Sequence, residues 1–250
     1  MGVSWSQNRR STLGDFVVIL VSSLRPADGC PPEIWRNQLK ALASWEDTGN
    51  QVVYFNQPQF PDLKVKFVAS SEKPRIATLA RYCENQNDWS GIVNADIILG
   101  PTWPAVEQAI RSSGAKCAIS RRWTFPDPEQ SELGDDPFED AALTDQGLDV
   151  FCARPEVWKD VAKFVPRQFT LGRILFDTWL MSFFVHNFRC ADFTDARVIF
   201  HPSHENRGDQ SMLRSSDSYL DIVRWPSIRI GPQRAFPTAL KTEGGGELRI

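Results

Sequence analysis

In the run Ser90-Gly-Ile-Val-Asn-Ala-Asp-Ile-Ile-Leu99, an amide and a carboxylate, Asn94 and Asp96, stand two residues apart in apolar surroundings. At the end of a β-strand, residues i and i+2 point the same way, so this pair would present two hard oxygen donors to one point. Such donors suit Mg²⁺ or Mn²⁺. A polar pair that closes a strand and caps a turn has the same sequence. His201 and His204, in HPSHEN, are two of the 3 histidines in the chain. An imidazole completes a carboxylate metal site or contacts a diphosphate, and the bland alternative is a pair of surface-loop histidines. The expected metal set is Asp96, His201 and His204.

Asp177 is an acid in similar company, among Ile174, Leu175, Phe176, Trp179 and Leu180. An acid there is costly to bury without a task. One reading is a general base that deprotonates an acceptor hydroxyl. The other is an i,i+4 ion pair with Arg173 on the same helical face. Of the nine tryptophans, Trp103 and Trp179 lie beside these motifs and are candidate platforms for a sugar or a base; the default for a tryptophan is the core.

These residues need a scaffold, and the chain spells one. FVVILV (16–21), QVVYFN (51–56), KVKFVAS (64–70) and SGIVNADIIL (90–99) read as strands, and 33–47 and 73–85 carry apolar residues at helical spacing. Alternating strands and helices predict an α/β fold with a mostly parallel sheet and helices on both faces. In such a sheet ligands sit at the carboxyl ends of the strands, where Ser22, Asn56, Asn94 and Asp96 fall. After an acidic stretch at 124–147, expected to be a loop, GLDVFCARPEVW resumes strand character. A hydrophobic helix follows at 172–185, and ARVIFHPSH forms a late strand. The expected organisation is a flexible 1–13 and a single domain over 14–241, with a donor half at 14–123 and an acceptor half at 147–241. A flexible tail at 242–250 completes it.

The chain has 250 residues, 42% of them hydrophobic, enough for a full core. A formal net charge of -3 excludes the global basic field of a dedicated nucleic-acid binder. The 5 cysteines are scattered without C-x-x-C spacing, which argues against a zinc ribbon or a disulfide framework and for a reducing cytoplasm. No apolar run is long enough for a membrane span. No G-x-G-x-x-G follows the first strand and no G-x-x-x-x-G-K-[ST] occurs, so the usual phosphate-cradling glycines are missing.

In its order of elements the chain resembles nucleotide-sugar glycosyltransferases of the GT-A fold. IVNADIIL resembles their DxD strand, with Asn94 in place of the first aspartate; FTLGRILFDTWL resembles the acceptor-side helix, and RVIFHPSH the closing histidine segment. The resemblance implies transfer of a hexose from a nucleoside-diphosphate sugar to a hydroxyl acceptor, assisted by Mn²⁺ or Mg²⁺. It places Ser22, Arg25 and Arg75 near the nucleotide, Asn94 and Asp96 at the diphosphate, and Asp149 on donor sugar hydroxyls. Arg121, Arg122 and Arg173 fall nearer the sugar or acceptor. A modest basic excess between Arg207 and Lys241 suits an acceptor such as DNA with hydroxymethylated bases. The alternatives are a nucleotidyltransferase and a non-catalytic sugar- or nucleotide-binding module.

Overall fold

The computed structural model describes residues 18–25, 30–55, 66–68, 73–125, 138–172, 176–203, 239–241 and 247–249. The chain opens with β1 (Ile19–Ser22), α1 (Pro32–Asp47), β2 (Gln51–Phe55), β3 (Lys66–Val68), α2 (Ile76–Glu84) and β4 (Ser90–Val93). After a turn come β5 (Ile98–Leu99), α3 (Trp103–Ser112), β6 (Cys117–Phe125), β7 (Ala142–Ala153) and α4 (Pro155–Phe164). The series ends with α5 (Phe176–Asn187), β8 (Cys190–Asp192), β9 (Ile199–Pro202), β10 (Ala239–Lys241) and β11 (Glu247–Arg249). Pro32, Pro104 and Pro155 stand in the first turns of α1, α3 and α4, where a missing N–H costs nothing.

One sheet takes all the strands, in the order β10-β11-β8-β6-β7-β4-β1-β2-β3, with β9 joining β6 and β5 joining β9. β3, β2, β1 and β4 run parallel. The expected parallel character holds for this half. β7 then inserts antiparallel between β4 and β6, so the whole sheet is mixed.

Period-two alternation sorts the strands' side chains onto two buried faces. Leu20, Val52, Tyr54, Val93, Val150 and Cys152 pack with Leu42 and Trp45 of α1 and Val106 and Ile110 of α3. Val21, Val53, Ile92, Phe151 and Ala153 pack with Leu79 of α2, Trp158 of α4 and Phe184 of α5. Helices therefore cover both faces, as the alternating pattern predicts. Among the described residues no helix is long and apolar enough to cross a membrane.

Four local expectations change. SGIVNADIIL is two short strands: β4 stops at Val93, and Asn94 to Ile97 form a turn closed by the Ile97 N–H donating to the Asn94 carbonyl at 3.3 Å. PEVW does not continue the strand before it, because Pro155 starts α4. β7 begins at Ala142, inside the stretch expected to be an acidic loop; 126–137 lie outside the described residues. Glu247–Arg249, expected to be part of a flexible tail, form β11, paired antiparallel with β10 and, through Arg249 opposite Asp192, with β8.

Candidate functional site

The registers place a row of residues along one edge of the sheet. Tyr54 lies beside Ser22, and Val21 beside Ile92, so the carboxyl ends of β2, β1 and β4 are level. Val93 faces Val150, and Val150 faces Ser120, which brings Asn94, Asp149 and Arg122 together at that edge. The β6–β7 ladder shifts register between Ser120 and Arg121 and again between Arg121 and Trp123. Such irregularity re-aims side chains, and here it falls on the two arginines.

Asp149 is the centre of the cluster. It is only 4% exposed. Its Oδ1 accepts a hydrogen bond from Asn94 Nδ2, and its Oδ2 accepts one from Arg122 Nη1 at 3.1 Å. The main chain adds a contact, the Asn94 N–H donating to the Asp149 carbonyl at 3.1 Å. Burial raises the Asp149 pKa above the usual carboxylate range, with the Asp96 charge adding to the rise. Arg122, His201 and the Asn94 amide oppose it.

Beside this lies a second pair. His201, on β9 opposite Thr124 of β6, brings Nε2 within 3.3 Å of Asp96 Oδ2. Asp96 sits in the turn after β4, which the end of α1 holds. Trp45 Nε1 donates to the Ile97 carbonyl at 2.6 Å, and the Leu99 N–H donates to Ser44 Oγ at 3.0 Å. Tyr54, fully buried, has its phenol pKa pushed up by burial and by the negative charges of Glu46 and Asp96. The one signal for Tyr54 in the sequence is its place near the end of the apolar run QVVYFN.

Asp177 stands in the first turn of α5, where the helix dipole favours an anion. Its Oδ1 accepts from the Thr178 N–H at 2.8 Å. Burial raises its pKa, against the Thr178 hydrogen bond and the positive charge of Arg122. The positive charge of Arg122 thus bears on both Asp149 and Asp177.

Other expected residues lie elsewhere or are spent on the fold. Ser22 is fully buried and donates from Oγ to the Val93 carbonyl at 2.6 Å, tying β1 to β4. Trp103 packs in the core against Phe193, its ring centroid 5.7 Å away, and Trp179 stacks on Phe183 at 4.8 Å. At 1% and 7% exposure neither offers a ring face to a sugar, and both follow the default for tryptophan. Arg25 is exposed at the end of β1, its main chain gripped on both sides by the Gln38 amide. Arg75 is exposed at the start of α2, and the main-chain N–H of Arg121 donates to Thr194 Oγ1 at 3.0 Å. Arg173, His204, Asn56 and most of the basic stretch 207–241 lie outside the described residues.

The donor set is a poor match to a cation cage. Both Asp149 oxygens are already hydrogen-bonded, and the Asn94 amide donates to one of them. Among the described residues no group of three or more His, Cys, Asp or Glu is arranged to hold a metal ion. The Asp96 carboxylate, for its part, already faces a nitrogen, His201 Nε2 at 3.3 Å.

No family model matches the sequence. No curated protein matches it either. Similarity appears in the fold. The crystal structure of S. aureus TarS 1–349 superposes with a TM-score of 0.50 at 11% identity, over 75% of this chain and 60% of that one. The same fragment in complex with UDP-GlcNAc superposes with a TM-score of 0.52 at 11% identity, over 84% of this chain and 65% of that one. This chain thus spans just under two thirds of the fragment it matches. At 11% identity the likeness bears on architecture alone: the chain has the GT-A-like α/β fold that its order of elements resembles.

Proposed function

We propose that this chain is a nucleotide-sugar glycosyltransferase that moves a hexose from a nucleoside-diphosphate sugar to a hydroxyl acceptor. The observation that carries the reading is the cluster Asn94, Asp96, Arg122, Asp149 and His201 at the carboxyl edge of the sheet, with Asp177 within the field of Arg122. Ligands of open α/β sheets bind at that edge. Support for the donor class comes from the UDP-GlcNAc complex of the similarly folded fragment.

Each group then has a task. The Arg122 guanidinium, with five N–H donors, stabilises the negative charge that grows on the leaving diphosphate. The His201 imidazole, oriented by Asp96, hydrogen-bonds the same group. Asp149 and Asn94 fix Arg122 in place, so little reorganisation is needed as the bond breaks. Asp177, deprotonated, accepts the proton of the acceptor hydroxyl as its oxygen attacks the anomeric carbon, and the nucleoside diphosphate departs. This sequence inverts the anomeric configuration.

Incubation of the full chain with a panel of nucleotide sugars and hydroxyl acceptors tests the reading. Release of a nucleoside diphosphate with an inverted glycoside is the expected result. Release of inorganic diphosphate in a parallel incubation with nucleoside triphosphates and sugar phosphates would make the chain a nucleotidyltransferase, and binding of a nucleotide sugar without turnover would make it a recognition module.

A further inference from the structure

Asn94 stands where the resembled motif has an acid, and its contacts give that departure a physical meaning. Its amide donates to Asp149 Oδ1, its main-chain N–H donates to the Asp149 carbonyl at 3.1 Å, and its own carbonyl accepts from the Ile97 N–H at 3.3 Å. Residue 94 is thus held by its side chain and by both its main-chain groups, against a carboxylate that is itself buried.

An aspartate at 94 would set carboxylate against carboxylate at hydrogen-bond distance. Two such groups need a shared proton or a cation between them. With Asp96 one turn position away, acids at 94, 96 and 149 would form an oxygen-rich cluster of the type that binds Mg²⁺ or Mn²⁺. The asparagine prevents this. It gives Asp149 an N–H, Arg122 gives it a full positive charge at 3.1 Å, and His201 faces Asp96 at 3.3 Å. Each carboxylate of the cluster already has a nitrogen partner.

We infer that Asn94 keeps this cluster from being a divalent-cation site, so that a nucleotide sugar binds equally well whether or not Mn²⁺ is present. The cationic role at the diphosphate passes to Arg122. The inference rests on the proposed function for its ligand, but not for its charge argument, and the two can be tested apart.

The experiment uses the full chain stripped with EDTA and dialysed. Calorimetry with UDP-GlcNAc is run in EDTA and in millimolar MnCl₂, and Mn²⁺ alone is titrated and followed by the electron paramagnetic resonance of the free ion. The wild type should show the same UDP-GlcNAc affinity in both buffers, within about twofold. Asn94→Asp should bind Mn²⁺ alone at least about tenfold more tightly than the wild type, and its UDP-GlcNAc affinity should rise about tenfold when Mn²⁺ is added. Asn94→Ala, which removes the amide without adding charge, should stay indifferent to Mn²⁺.

A wild-type affinity that rises tenfold or more with Mn²⁺ overturns the inference, and this measurement needs no variant to fold. Equal Mn²⁺ binding by wild type and a folded Asn94→Asp also overturns it. If UDP-GlcNAc binds neither protein in either buffer while another nucleotide sugar does, that sugar takes its place in the calorimetry. If none binds, the proposed function fails, and the Mn²⁺ titrations alone decide the role of Asn94.

Discussion

Arg122 Nη1 lies 3.1 Å from Asp149 Oδ2, with 19% of the arginine side chain and 4% of the aspartate side chain exposed, so the guanidinium is the counter-charge of a carboxylate that water barely reaches. Removing one partner of such a pair leaves the other buried and uncompensated. Arg122→Ala should therefore destabilise the fold by about 3 kcal/mol. The double variant Arg122→Ala/Asp149→Asn removes the stranded charge and should recover part of the loss. Urea unfolding of the two variants and the wild type checks this. A loss below about 0.5 kcal/mol for Arg122→Ala would class the pair with solvent-screened surface bridges.

Asp177 gives a prediction with a pH axis. Burial holds its pKa above the usual aspartate range, and a base works only when deprotonated. The acid limb of kcat/KM should consequently lie above that range, with activity falling as pH falls through it. Arg122 lowers the Asp177 pKa, so Arg122→Gln should move the limb to higher pH. Asp177→Asn keeps the shape but cannot take the proton, and should reduce turnover by about 10² to 10⁴ with UDP-GlcNAc affinity little changed. Near-normal turnover in Asp177→Asn, or a retained anomeric configuration in the product, would remove the base.

The sequence is legible where a signal is local. FVVILV and QVVYFN are contiguous apolar runs, and β1 and β2 lie within them. Helix α1 matches its apolar spacing to within one residue at its start. The turn at Asn94 to Ile97 is hidden because Ile97, Ile98 and Leu99 continue the apolar run across it. The Trp45 indole and the Ser44 hydroxyl, 52 and 55 residues from the groups they bind, show what holds the bend. The Arg122–Asp149–Asn94 cluster is half legible. All three residues are foreseeable as site members, but their mutual bonds depend on β7 inserting antiparallel between β4 and β6. Nothing local encodes that pairing. Ser22, Trp103 and Trp179 show the converse: motif proximity suggests a ligand, and burial assigns them to the fold.

Asp96 and His201 should act as a unit. His201 Nε2 is 3.3 Å from Asp96 Oδ2, with His201 on β9 and Asp96 in the turn that leads into β5, the strand paired with β9. Removing either leaves the other misdirected, so Asp96→Ala and His201→Ala should each weaken UDP-GlcNAc binding by about tenfold. The double variant should be little worse than either single one. Calorimetry on the three proteins reads the coupling. Additive losses would mean that the two side chains reach the donor independently, and unchanged binding in all three would place the pair outside the donor site.

The core reaches the site through Trp45. Trp45 is fully buried on α1, stacks on Tyr54 with ring centroids 6.0 Å apart, and donates from Nε1 to the Ile97 carbonyl at 2.6 Å. That carbonyl ends the turn that carries Asp96. Trp45→Phe keeps an aromatic ring in the space but removes the donor, leaving a buried carbonyl without this bond. The loss should be about 1 to 3 kcal/mol of stability. If the turn positions Asp96, turnover should fall further than stability alone explains, at a temperature where the variant is fully folded. The partial defect should resemble that of Asp96→Ala in its effect on UDP-GlcNAc affinity. A variant that is destabilised but binds and turns over normally would show that the turn keeps its shape without α1, and that the strand ends β4 and β5 suffice to place the carboxylate.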